Sequence, residues 1–156
     1  MSETSYTVRE PGLNVLPPGV ERYVVAGGGI NVLQIFPEDK IEIINDEGKQ
    51  ICEIIVFNSK GKNDLSILNL KENSNGDYLK KAINNDEKIL NLFKKKNLEL
   101  NKSKSSIIFN EDCPMGEKII IKSKDECTVM VASPGAKMDV HNQNPPTSLT
   151  VFLHRA

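Results

Sequence analysis

A chain of 156 residues and 17.3 kDa suits one domain with one core, burying roughly two thirds of the surface its unfolded form exposes. Its apolar residues sit in short blocks, as in a folded protein. Three widely spaced cysteines, Cys52, Cys113 and Cys127, with no C-x-x-C pair, exclude a disulfide scaffold or zinc ribbon, and the lack of a leader pattern or a long apolar run points to a soluble, reduced, cytoplasmic protein with no membrane partner. The net charge of −1 hides an asymmetry, 11 Lys against 6 Asp or Glu within residues 60–104, but Tyr78 and Phe93, the aromatics there, take apolar helical positions, so a solvated helix face is expected and nucleic acid is not.

The opening segment, with Pro11, Pro17, Pro18 and two glycines, predicts an extended arm over residues 1–21. Strands follow at 22–26 and 30–36, broken by Gly27-Gly28-Gly29, which suits a β corner. That triplet is not a phosphate loop, because a strand follows it and neither a Rossmann nor a P-loop fingerprint is present. Residues 40–45 alternate, with Ile41 and Ile43 on one face and Glu42 and Ile44 on the other. Asp46-Glu47-Gly48 reads as a hairpin loop with Gly48 in the left-handed position, leading into a strand from Lys49 to Phe57. That strand sets Gln50, Cys52, Ile54 and Val56 opposite Ile51, Glu53, Ile55 and Phe57.

Residues 64–70 form a possible strand. Residues 77–96 carry apolar positions at helical spacing with a break at Asn84-Asn85, acids at the expected starts and Lys94 to Lys96 at the end, so a two-helix insertion is expected. Strands return at 105–109, 117–122, 127–132 and 148–154. The expected fold is therefore mainly β: a small barrel or sandwich of antiparallel strands with a two-helix insertion, one domain over 1–156. The long loop from Ser133 to Thr147 is a functional candidate.

The stretch EDKIEIINDEGKQICEIIVFNSKGK, residues 38–62, together with SPGAKM and PPTSLTVFLHRA near the end, resembles the urea-carboxylase-associated domain family. It looks most like the version at the head of proteins related to folate-dependent aminomethyltransferases. The resemblance covers roughly residues 15–60 and 105–156. It implies a mostly β domain concerned with amine and one-carbon nitrogen metabolism, and supports Gln50 as a polar contact in a cleft. Elaborate members, some implicated in the breakdown of guanidine- and urea-derived compounds, carry Cys and His residues in an extended C-terminal half. Those residues have no counterpart here, so no metal site or hydrolytic activity carries over. The chain reads as a stand-alone subunit or a detached domain.

Glu53 interrupts an apolar run. If both faces of its strand are covered, its carboxyl must be hydrogen-bonded or protonated, as a general base or amine anchor would be; if one face is wet, it is a surface residue near a lysine. His141, two residues after Asp139, could be an oriented base or ligand, or simply a solvated loop histidine. Cys113, beside Glu111 and Asp112, is expected to have a raised thiol pKa and to be no nucleophile. Cys52 and Cys127 are expected as core residues, and His154 as structural.

Two functions follow. The first is an accessory, non-catalytic module whose surface near Gln50, Glu53, Asp139 and His141 binds a small amine-type metabolite, or which docks an aminomethyltransferase-like partner. The second is a stand-alone hydrolase or deiminase acting on a guanidine- or urea-type C–N bond. The thin inventory of titratable groups favours the first. No metal site is expected, the cofactor is unassigned and a homo-oligomer is open.

Overall fold

A computed structural model of the chain describes residues 16–100, 102–135 and 145–156. Among these residues eight strands are formed: β1 (Val20–Val25), β2 (Ile30–Ile35), β3 (Lys40–Asn45), β4 (Cys52–Asn58), β5 (Ser106–Ile108), β6 (Lys118–Lys122), β7 (Cys127–Ala132) and β8 (Leu149–His154). They make two four-stranded antiparallel sheets, a front sheet in the order β1-β8-β3-β6 and a back sheet in the order β2-β7-β4-β5. First pairs with last and the pattern works inward, β1 with β8, β2 with β7, β3 with β6 and β4 with β5. This is the strand order of a jelly roll, one of the two expected architectures, the sandwich rather than the barrel.

The alternation of the strands sets the core. Ile41 and Ile43 of β3 and Leu149, Val151 and Leu153 of β8 point between the sheets, where they meet Ile35, Ile54, Val56, Val129 and Val131. Each such residue contributes about 1.5–3 kcal/mol by leaving water. The opposite side of the back sheet is covered by the insertion, helices α1 (Asp77–Asn84) and α2 (Glu87–Lys96). Ile55, Phe57 and Met130 pack there against Leu79, Ile83 and Phe93, with the Phe57 and Phe93 rings edge to face at 5.5 Å. β4 is thus buried on both faces, which explains its nearly continuous apolar run.

The helix ends follow from local chemistry. Asp86 caps α2, its carboxylate accepting from the Lys88 and Ile89 amides, and Asn97 closes it in the left-handed conformation. α1 ends at Asn84 with Asn85 as its C-terminal cap, the break expected from the sequence.

Several expectations are corrected. Residues 64–70 are not a strand: Leu65–Leu68 form a 3-10 helix capped by Asp64, with Asn69 left-handed after it. Asp46-Glu47-Gly48 is a turn, with Gly48 at a φ of +78°, but it closes no hairpin. β3 and β4 belong to different sheets, so the turn carries the chain across the sandwich. β4 opens at Cys52 rather than Lys49, and β1 opens at Val20, inside the expected arm. Residues 1–15 lie outside the described part.

Candidate functional site

At one end of the sandwich three connections meet: the β3–β4 crossing, the β5–β6 loop and the ends of the β7–β8 loop. They enclose an open cleft of 920 Å³ whose described lining runs through residues 47–51, 111–112, 134–135 and 145–147. The connections are locked to one another by backbone contacts. The Lys49 amide donates to the Cys113 carbonyl at 2.8 Å and the Gly116 amide to the Asn45 carbonyl at 2.8 Å. A Cβ on Gly48 would stand 2.7 Å from the Met115 nitrogen, so the two loops approach as closely as they do only because residue 48 is glycine.

Gln50 is the clasp of this end. Its Nε2 donates to the Ile51 carbonyl at 2.9 Å and the Pro134 carbonyl at 2.7 Å, while its Oε1 accepts the Thr147 amide at 2.9 Å. Both donors are spent on backbone. The expected cleft residue is in the cleft, but it builds the wall and keeps only one Oε1 lone pair for a ligand. Behind it, the buried Asn45 Nδ2 donates to the Gln50 carbonyl at 2.6 Å and reaches Cys113 Sγ at 3.4 Å. The far wall is Pro146, whose carbonyl would lie 2.1 Å from a Cβ on Gly27; the glycine corner therefore shapes the cleft from outside.

The cleft's described ionisable groups are Glu47, Glu111, Asp112 and Lys49, all exposed, three carboxylates against one ammonium. Such a rim favours cations, more so at low salt.

Glu53 does not join this cleft. Its side chain lies under α1 on the other face of β4, where Oε1 accepts the Leu79 amide at 3.1 Å and Oε2 faces the Ser74 hydroxyl at 3.4 Å. Leu79 is the third residue of α1, and Gly76 at the N-cap has no side chain to satisfy it, so Glu53 caps the helix from the sheet. Of the two sequence readings, the covered strand with a hydrogen-bonded carboxyl is the one found, with a structural partner. Asp139 and His141 lie outside the described residues.

All three cysteines are free and buried. Burial pushes the Cys127 thiol up to about 11 and raises Cys52 further. The Cys113 thiol is also raised, by burial first and then by Glu117 rather than by Glu111 and Asp112, against the pull of the Asn45 and Lys49 N–H groups. None is a poised nucleophile. Among the described residues no three His, Cys, Asp or Glu side chains are placed to hold a metal ion, and no described helix is long and apolar enough to cross a membrane.

Sequence reasoning missed a second polar cluster. Arg155 forks onto Glu21 at 2.8 and 3.0 Å and reaches Asp39 at 2.8 Å and the Gln34 carbonyl at 2.9 Å. It joins β1, β2, the β2–β3 turn and β8. A penultimate arginine beside strand-end acids was the available signal. His154 pairs with Glu42 at 3.0 Å, in keeping with the structural role expected of it.

No family model matches the chain. Trimethylamine-oxide aldolase of Ruegeria pomeroyi is 32% identical over 153 residues, which is 96% of this chain and 19% of that protein. The chain therefore spans about a fifth of the length of the curated relative it matches.

Proposed function

We propose that the chain is an accessory module of amine metabolism, a domain of the urea-carboxylase-associated type that binds a small amine-type metabolite in the acid-rimmed cleft and works beside an aminomethyltransferase-like enzyme. The observation that carries this reading is the coverage: nearly the whole chain resembles one fifth of a much longer protein named for an amine N-oxide. The cleft supports the ligand class. Glu47, Glu111 and Asp112 suit a substituted ammonium, and Lys49 supplies an opposite charge for the oxygen of an N-oxide dipole. Among the described residues Gln50 and Glu53 do not converge as the stand-alone hydrolase reading would have them, because Gln50 is in the cleft and Glu53 is under α1.

The test is calorimetric titration with trimethylamine N-oxide, trimethylamine, dimethylamine, guanidine, urea, glycine derivatives and a folate, at low salt, with and without zinc. Trimethylamine N-oxide at high concentration stabilises proteins by exclusion from their surface, so the control is a Glu47→Gln/Glu111→Gln/Asp112→Asn variant. Selective binding by an amine that weakens at least about fivefold in the variant is expected from charge complementarity. Equal heats from both proteins would remove the cleft as the site, and turnover of a bound compound would make the chain an enzyme.

A further inference from the structure

The outer faces of the sandwich are unequal. The helices cover the back sheet, whereas among the described residues no element covers the front sheet: Val24 is 45% and Ile120 58% exposed, and Ile44 and Phe152 are half-buried beside them. β6 is an edge strand of this sheet, bonded to β3 on one side only among the described residues. Along its free side runs a groove of 460 Å³ that includes Leu68, Leu70 and Ile119. Its sequence is Lys118-Ile119-Ile120-Ile121-Lys122, so the exposed apolar centre of the strand lies between two positive charges, and the groove beside it runs on past Lys122 to Lys124, with Glu38 as the one acid of its described lining.

We propose that the free edge of β6 is the docking site for an extended segment of a partner protein with the order acidic, apolar, apolar, apolar, acidic. Added as a fifth strand, such a segment completes the unpaired backbone of β6. Its end carboxylates stand opposite Lys118 and Lys122, its central side chain meets Ile120 on the outer face, and the two between them turn into the groove toward Leu68, Leu70 and Ile119. Both lysines are exposed; the Lys122 pair with Glu38 at 2.6 Å is open to solvent at both ends and contributes little, while Lys118 reaches Glu42 at 3.4 Å from its exposed side. The same charges select against a second copy of this chain: antiparallel pairing of two β6 strands about Ile120 would set each Lys118 against Lys122 of the other copy, like charges directly opposite. This edge shares no described residue with the acid-rimmed cleft, so the two sites stand or fall separately.

The experiment uses a fluorescent peptide with the core Glu-Val-Ile-Val-Glu, a counterpart with lysine for both glutamates, and the whole chain. Fluorescence anisotropy gives affinity, and amide hydrogen exchange locates the contact. The acidic peptide is expected to bind at least about tenfold more tightly than the basic one and to slow exchange at residues 119–121, with the order reversed in a Lys118→Glu/Lys122→Glu variant. Because both substitutions fall on exposed side chains, that variant is expected to fold. Unchanged β6 exchange, or equal binding of the two peptides, would overturn the proposal. A concentration-dependent dimer that protects β6 without peptide would overturn it in favour of a second copy.

Discussion

Glu53 shows how a residue chosen as anomalous can owe its place to a distant backbone group. Its carboxylate is buried, and it accepts the amide of Leu79, 26 positions later in the chain, at the start of a helix whose own cap is a glycine. Glu53→Ala leaves that amide buried without a partner and is expected to cost about 1–3 kcal/mol in urea unfolding, with Glu53→Gln costing less because an amide oxygen can still accept. Faster hydrogen exchange at Leu79 in the alanine variant would tie the loss to the cap; unchanged exchange there would break the link. From the sequence one sees that a carboxyl interrupts an apolar run, and that if buried it needs a partner. The partner itself is invisible, because nothing local says which helix lands on β4. Gln50 is similar: two of its three backbone partners, Pro134 and Thr147, come from segments more than 80 residues away, and nothing local to Gln50 names them.

Among the elements, periodicity served well where an element has a single exposed face. β3 alternates because one side meets core and the other water, and α1 and α2 repeat at helical spacing because one stripe meets the back sheet. Residues 64–70 misled because Leu65, Ile67, Leu68 and Leu70 fit either period over so short a span, and the deciding features are the Asp64 cap and the left-handed Asn69. The β3–β4 turn misled for another reason: turn chemistry reports a reversal, not the sheet the next strand joins. The insertion has its own apolar cluster around Phe93, apart from the one between the sheets. Phe93→Ala, expected to cost about 3–5 kcal/mol for a buried ring, should therefore loosen the insertion first. Exchange of the α1 and α2 amides should rise while those of β3 and β8 keep their protection; a uniform rise would show one cooperative unit.

For the molecule as a whole, the Arg155 cluster ties the two sheets together at the end where β8 finishes. Burial alone would raise the Asp39 carboxyl, but the Ala156 amide, the Arg155 guanidinium and the Phe36 amide hold it below its ordinary 3.8. Arg155 and then Tyr23 hold Glu21 below 4.5, and His154 and then Lys118 do the same for Glu42. Because these folded values are depressed, the unfolded chain takes up protons first as pH falls. The stability they contribute is complete above 4.5 and is lost as pH drops through the folded values. The thermal midpoint is expected to fall on acidification from about pH 6 to about pH 3, and the gap between the native protein and Asp39→Asn to narrow over that range; a constant gap would mean the carboxylate is not depressed.

The nested strand order has a consequence in time. Val20 of β1 faces His154 of β8 across the whole described chain, whereas β4 and β5 are closer neighbours. During synthesis β1 has no place in a sheet until β8 has emerged, and until then its Val24 and Val25 wait as unpaired strand. Contacts of such sequence separation must overcome loop-closure entropy before they return any stability, which places folding toward the millisecond-to-second end of the scale for small domains. The insertion, built of local helical turns, can take shape early, but its landing surface on the back sheet needs β7. The nascent chain is thus held open from both ends of its own order, and its last strand is the one that closes it.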